Sequence, residues 1–125
     1  MEDRLRVLIV EDELAISIII EIIVEETAPA MVFVHATVEG AEKAIREQDF
    51  DLAFLDVNVT NGETYKIAKV LRQNEVPISF VSSISKQEVP EELRSSPFIS
   101  KPFQPADIRG AVLAAQRKKE NRPPS

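Results

Sequence analysis

Two short apolar runs that end in acidic residues constrain the fold of this chain most. Glu11 and Asp12 follow the run from Leu5 to Val10, and Asp56 follows the run from Asp51 to Leu55. The first run shows no polar alternation, which is typical of a strand covered on both faces in a parallel sheet. Since ligand sites in open parallel sheets lie beyond the carboxyl ends of the strands, we expect these acids to converge.

The remaining hydrophobic pattern predicts three more strands and five helices. The strands are expected at 31–36, 77–81 and 98–100, and the helices at about 13–26, 37–48, 63–74, 85–94 and 105–117. The fourth helix is predicted to be short or partly unwound, because Pro90 lies within it. The segment from Asn58 to Gly62 is predicted to be a loop.

Strands that alternate with helices over short connections favour a parallel sheet with helices on both faces. We therefore predict an α/β, flavodoxin-like, doubly wound fold of three layers, with five parallel strands in the order 2-1-3-4-5 and five helices. This order places the first and third strands side by side. Ser82 ends the fourth strand and Lys101 follows the fifth, so both would share the edge of the sheet with the acids.

The residues expected at this edge suit phosphoryl chemistry that depends on a divalent cation. Three carboxylates held close together repel one another unless a proton or a cation neutralises them. Magnesium prefers oxygen ligands, and Asp12 and Asp56 supply them, with Glu11 acting directly or through water. An aspartate is a nucleophile for phosphoryl groups, and Lys101 and Ser82 would contact further phosphoryl oxygens.

Each of these residues also has a purely structural interpretation. Asp12 would serve as a helix cap, Glu11 as a solvated loop charge, Ser82 as a turn residue, Lys101 as a surface charge and Phe98 as part of the core. Their joint placement at strand ends favours a site over these separate explanations. His35, the only histidine, is interpreted as structural because the sequence supplies it with no partner ligands.

Length and composition limit the remaining possibilities. The 125 residues fit one domain, which we place at 1–119, followed by a frayed tail at 120–125. A net charge of -6 disfavours nucleic-acid binding, and the basic stretch at 117–119 is interpreted as a solubilising helix end. The sequence shows neither a secretory signal nor a membrane span, so a soluble cytoplasmic protein is expected.

The chain resembles the receiver domain of two-component response regulators over essentially its whole length. The combination that carries the resemblance is Glu11-Asp12, Asp56, Ser82 and Lys101-Pro102-Phe103. The stretch Phe80-Val81-Ser82-Ser83 is also similar to a subgroup of small stand-alone receivers that carry Phe-Ala-Thr-Gly there, although two of the four positions differ. Compared with many receivers, the 59–62 loop and the stretch between Ser82 and Lys101 are short.

The resemblance implies a role for each candidate residue. It makes Asp56 the phosphoacceptor, Glu11 and Asp12 the acidic pair that binds Mg²⁺, Asn58 a further ligand through its backbone carbonyl, Lys101 the phosphate-contacting lysine, Ser82 the switch hydroxyl and Phe98 the switch aromatic residue. Asn58 and Ile84 would flank the path of the water that hydrolyses the acyl phosphate.

The function implied by the resemblance is signalling rather than enzymatic turnover. A single-domain response regulator would receive a phosphoryl group from a histidine kinase or a histidine phosphotransfer protein. It would then act through contact with a downstream protein as a relay, a sink or an adaptor, with a homodimer through the last helix and the neighbouring face as one option. Two alternatives stay open: an interaction module that works without phosphorylation, and a small magnesium-dependent phosphate-ester hydrolase.

Overall fold

The computed structural model describes residues 3–122. Within this range the strands are β1 Leu5–Val10, β2 Ala30–His35, β3 Leu52–Leu55, β4 Asn58–Val59, β5 Gly62–Glu63, β6 Ile78–Ser82 and β7 Phe98–Ser100. The α-helices are α1 Leu14–Thr27, α2 Val38–Glu47, α3 Tyr65–Gln73 and α4 Pro105–Glu120. None of these helices is long and apolar enough to cross a membrane.

Five of the strands form one parallel sheet in the order β2-β1-β3-β6-β7. Counting only these strands along the chain gives the order 2-1-3-4-5, so the predicted topology is confirmed. Val10 at the end of β1 is in register with His35 of β2 and Leu55 of β3. The residues that follow β1 and β3 are therefore neighbours at the same edge of the sheet.

Alternate residues of the strands pack into two separate hydrophobic clusters, as the two-residue period of a strand requires. Leu8, Leu55 and Phe80 pack with α2 and α3, whereas Ile9, Phe54 and Val81 pack with α1 and α4. Helices therefore cover both faces of the sheet, which gives the predicted three layers. Four apolar residues of α1 stay largely exposed: Leu14, Ile18, Ile19 and Ile22.

The prediction of a fourth helix over 85–94 is wrong, and four α-helices are found among residues 3–122 instead of five. Two single 3₁₀ turns, Lys86–Glu88 and Glu91–Leu93, take its place. Pro90 lies between them, where it lacks the N–H that a continuous helix would need. Buried Val89 and Leu93 attach the segment to the core.

The prediction of a plain loop over 58–62 is also wrong. β4 and β5 pair antiparallel in a small hairpin, with Val59 opposite Gly62. At its turn, Asn61 has φ 71° and Gly62 has φ 142°, conformations that asparagine and glycine adopt more easily than other residues. The Asn-Gly pair marks a turn in the sequence, so a tight turn was predictable here, although the pairing of Val59 with Gly62 makes Thr60 and Asn61 the two loop residues.

The basic end of α4 is an anchor rather than a solubilising tail. Lys119 Nζ donates hydrogen bonds to Asp51 Oδ2 at 3.0 Å and to the Arg4 carbonyl at 2.8 Å. These contacts join the last turn of α4 to the amino-terminal edge of the sheet. α4 continues to Glu120, past both its predicted end at 117 and the predicted domain boundary at 119. Residues 123–125 of the predicted tail lie outside the described range.

Candidate functional site

The three predicted acids meet at the carboxyl edge of the sheet. Glu11, Asp12 and Asp56 each offer a carboxylate oxygen, and these oxygens all lie within 4.8 Å of one another. The strand pairing explains the convergence, because the Asp56 N–H donates to the Val10 carbonyl at 2.9 Å. Glu11 and Asp56 are buried, whereas Asp12 is exposed. We call these three residues the acidic rim.

Lys101 supplies the positive charge of this site. It follows β7, and its Nζ lies 2.7 Å from Glu11 Oε1 and 2.9 Å from Asp56 Oδ2. Burial by itself lowers the pKa of Lys101, but the hydrogen bonds and charges of Glu11 and Asp56 outweigh it and raise that pKa. The lysine is therefore firmly protonated and bridges two of the three rim carboxylates.

Glu11 is a buried rim acid whose pKa is shifted by its surroundings. Burial raises the pKa of Glu11 to about 6, and the charge of Asp56 acts in the same direction. Contacts with Lys101 and with the Glu13 N–H, which lies 3.2 Å from Glu11 Oε2, offset only part of this rise. One lysine does not fully compensate three carboxylates, so the site favours a further positive charge.

Asp56 is held by its main chain on both sides. Its N–H pairs with β1, and its carbonyl accepts a hydrogen bond from Thr64 Oγ1 at 2.7 Å. Thr64 is fully buried, and its own N–H donates to the Val57 carbonyl at 2.9 Å. Sequence reasoning missed Thr64, since a lone threonine before a helix is ordinarily a cap. The side chain of Asp56 keeps about 10% of its surface open to solvent.

Ser82 and Phe98 lie on the strands beside the acidic rim. Ser82 is buried at the end of β6, and its carbonyl accepts the Lys101 N–H at 3.0 Å, which ties β6 to the segment that carries the lysine. The Lys101–Pro102 peptide bond is cis. Phe98 is half-buried in β7, and its ring centroid lies 6.4 Å from that of Phe80.

Asn58 begins the β4–β5 hairpin, two residues after Asp56, with an exposed side chain. The position is close to the acidic rim along the chain, but the role of its carbonyl as a metal ligand stays a prediction.

The structural interpretation of His35 also stays a prediction. Its side chain crowds α2, since a Cβ added at Gly40 would lie 3.0 Å from His35 Nδ1.

Two further residues contact the site without having been predicted. Glu13 Oε1 lies 3.4 Å from Lys101 Nζ, and Thr60 Oγ1 donates a hydrogen bond to Asp12 Oδ2 at 3.3 Å. Glu13 continues the run of acids after β1, so its proximity was readable from its position. The Thr60 contact depends on the hairpin, which was predicted to be a loop.

The donor set fits a magnesium ion. All candidate ligands are oxygen atoms, and magnesium commonly takes one or two carboxylates and fills its remaining positions with water and phosphate oxygens. Oxygens that share one Mg²⁺ lie at most about 4.2 Å apart, twice the usual bond length. Rim oxygens within 4.8 Å of one another need only small side-chain rotations to reach that spacing.

Comparison with known proteins agrees with this geometry. The family model of the response regulator receiver domain matches residues 7–113. The alkaline phosphatase synthesis transcriptional regulatory protein PhoP of Bacillus subtilis is 26% identical over 125 residues, covering 96% of this chain and 52% of that protein. The chain thus spans about half the length of this curated relative.

Two solved structures illustrate the similarity of the fold. SdrG from Sphingomonas melonis Fr1 is 30% identical with a TM-score of 0.75, over 94% of this chain and 99% of that one. A CheY-like response regulator receiver domain protein from Methanospirillum hungatei JF-1 is 22% identical with a TM-score of 0.80, over 94% of this chain and 97% of that one. Together with the family match, these findings establish that the chain belongs to the receiver domain family of two-component response regulators.

Proposed function

We propose that this receiver domain is a magnesium-dependent phosphorylation switch in which Asp56 accepts the phosphoryl group. The donor is a histidine kinase or a histidine phosphotransfer protein in the cytoplasm, and the output is contact with another protein. The observation that carries the proposal is the convergence of Glu11, Asp12 and Asp56, with Lys101 bridging Glu11 and Asp56. A site with excess negative charge and hard oxygen ligands suits both a divalent cation and an incoming phosphate.

In the proposed reaction, a carboxylate oxygen of Asp56 attacks the phosphorus atom of a phosphohistidine. The new P–O bond forms as the P–N bond breaks, and the imidazole leaves with the bonding electron pair. Bound Mg²⁺ would neutralise charge on the phosphoryl oxygens, with Glu11, Asp12, Asp56 and the Asn58 carbonyl as its protein ligands. The fixed main chain of Asp56 keeps its side chain oriented during the transfer.

Lys101 and Ser82 take the remaining phosphoryl oxygens in this proposal. Lys101 Nζ, now 2.9 Å from Asp56 Oδ2, would stay beside that residue and pair with the phosphoryl group instead. The Ser82 hydroxyl would turn from its present contact with the Ile84 N–H, which is long at 3.4 Å, toward the phosphoryl group. Ser82 and the half-buried Phe98 are therefore the proposed switch residues, and the adjacent 3₁₀ turns are the segment expected to respond.

The test is incubation of the purified protein with Mg²⁺ and acetyl phosphate, followed by intact-mass measurement. The wild-type protein should gain one phosphoryl group, and Asp56→Asn should gain none. Asp51→Asn is the matched control, because it removes a buried aspartate at the other end of β3 and should still be phosphorylated. A search of purified histidine kinases, scored at Asp56, would then identify the donor. Incorporation from no donor, or equal incorporation in Asp56→Asn, would reject the proposal.

A second candidate function is a receiver-like interaction module that works without phosphorylation. Two observations favour it: the fourth helix is reduced to two 3₁₀ turns, and the loop after Asp56 is a tight hairpin. Once a protein partner is identified, this function predicts equal affinity for the wild-type protein and Asp56→Asn, with and without phosphodonor. An affinity that changes on phosphorylation would exclude it.

A further inference from the structure

Thr60 connects the acidic rim to the beginning of α2. Its hydroxyl donates the 3.3 Å hydrogen bond to Asp12 Oδ2. Its carbonyl accepts the N–H of Val38, the first residue of α2, at 3.4 Å, and its backbone forms an isolated parallel bridge with Thr37. One residue thus contacts an exposed rim acid through its side chain and a helix N-terminus through its main chain.

The backbone that carries Thr60 is anchored on several sides. The Val38 N–H belongs to the first turn of α2, where backbone donors lack partners within the helix, so the Thr60 carbonyl acts as a cap. The next residue, Asn61, donates from Nδ2 to Glu39 Oε1 at 3.2 Å. On the other side, Val59 is buried in the core. The Thr60 hydroxyl therefore rests on a fixed support, although the residue itself is exposed.

The orientation of the Asp12 carboxylate depends on its Thr60 hydrogen bond more than the orientations of Glu11 and Asp56 depend on any single contact. Lys101 lies within 3 Å of oxygens of both Glu11 and Asp56, and both acids are buried. Asp12 is exposed, and within residues 3–122 the Thr60 hydroxyl is the only group found to hydrogen-bond or ion-pair with its carboxylate. A free exposed carboxylate rotates among several orientations, and a hydrogen bond to one of its oxygens restricts that rotation.

We propose that Thr60 is a positioning residue that orients Asp12 for a divalent cation. The inference rests on the proposed function, because it assumes that the acidic rim binds Mg²⁺. With Oδ2 engaged by the hydroxyl, Asp12 is held with its other oxygen available as a ligand. Supporting hydrogen bonds of this kind reduce the conformational freedom that a carboxylate loses when it binds a metal. The anchored hairpin supplies the rigidity that such support requires.

The test compares Thr60→Val, which keeps the shape of the side chain but lacks the hydroxyl, with Thr60→Ser, which keeps the hydroxyl. The dissociation constant for Mg²⁺ is measured by NMR titration without any phosphodonor. Thr60→Val should weaken binding by about tenfold, the low end of the range for such supporting residues. Thr60→Ser should bind as the wild-type protein does. Thr27→Val, which loses a hydroxyl hydrogen bond to the Ile23 carbonyl in the last turn of α1, is the matched control and should leave the affinity unchanged.

A double-mutant cycle with Asp12→Ala separates positioning from a general effect on the fold. If Thr60 acts through Asp12, Thr60→Val should have no further effect on Mg²⁺ affinity in the Asp12→Ala background. An equal loss in both backgrounds would overturn the inference, and so would unchanged affinity in Thr60→Val, even if its metal-free thermal stability falls. Failure of the wild-type protein to bind Mg²⁺ would reject the proposed function as well, so the two failures are distinguishable.

Discussion

Two buried aspartates flank the same strand, β3, and their surroundings differ in charge balance. Asp51 precedes the strand, where the Arg6 N–H donates to Asp51 Oδ2 at 2.8 Å and Lys119 lies 3.0 Å from the same oxygen. Arg122 NH2 adds a second cation 3.8 Å from Oδ1. Asp56 follows the strand and shares one lysine with other acids. Asp51 therefore has its negative charge matched by nearby cations, whereas the charge around Asp56 is only partly compensated.

Replacing each aspartate by asparagine should lower stability at Asp51 but not at Asp56. Asp51→Asn should lower the free energy of unfolding by about 1–3 kcal/mol, because it removes charge-assisted bonds to Arg6 and Lys119. Asp56→Asn, measured without divalent cations, should leave stability unchanged or raise it by up to about 1 kcal/mol, because it relieves repulsion while Lys101 keeps Glu11 as a partner. Urea unfolding of both variants checks the contrast. Equal destabilisation would mean that charge balance does not distinguish the two sites.

Bound Mg²⁺ should be able to substitute for the positive charge of Lys101 but not for that of Lys119. Lys119→Met should cost about 1–2 kcal/mol, and Mg²⁺ should not restore it, because among residues 3–122 Asp51 belongs to no group of acids that could hold a metal ion. Lys101→Met should also be less stable without metal, yet it should bind Mg²⁺ roughly 3–10 times more tightly, since a nearby positive charge is gone. Thermal unfolding with and without Mg²⁺ measures both effects. Loss of Mg²⁺ affinity in Lys101→Met would contradict the proposed electrostatics.

The exposed ion pairs Glu13–Lys101 and Arg122–Asp51 should contribute less to stability than the buried pairs at the same two sites. Glu13 lies 3.4 Å from Lys101 and has 66% of its side chain exposed. Arg122 lies 3.8 Å from Asp51 and has 60% of its side chain exposed. Solvent screens such pairs, so Glu13→Gln and Arg122→Gln should each change stability by less than about 0.5 kcal/mol. Denaturant unfolding at two salt concentrations is sufficient to test this. A larger effect in Glu13→Gln alone would show that the acidic rim extends to a fourth carboxylate.

The sequence was sufficient to predict the sheet and the convergence of its polar residues. The apolar runs that end at Val10 and Leu55 predicted buried strands, and right-handed crossovers then left few possible topologies. The fourth helix was expected to be weak for a correct reason, since Pro90 interrupts it, but the pattern could not show that two 3₁₀ turns would replace it. The residue roles proposed at the site, and the resemblance to the subgroup with Phe-Ala-Thr-Gly, stay predictions.

Contacts between residues far apart in sequence were not predictable in the same way. Lys119 lies 68 positions from Asp51, and nothing local to either residue indicates the other. The Thr60 contact with Asp12 spans 48 positions and requires the hairpin to be recognised first. Thr64 supports the Asp56 carbonyl from only eight positions away, but its hydroxyl has a more common use as a helix cap. Side-chain contacts between residues far apart in sequence become visible only in the three-dimensional structure, whereas the ends of strands can be inferred from the hydrophobic pattern of the sequence.

The low exposure of the Asp56 side chain has a consequence for the choice of donor. In the proposed phosphoryl transfer, the donor has to bring its phosphorus atom to the roughly 10% of the Asp56 side chain that is open to solvent. A compact donor would reach this small area more easily than a bulky one, whether or not the donor also docks elsewhere on the protein surface.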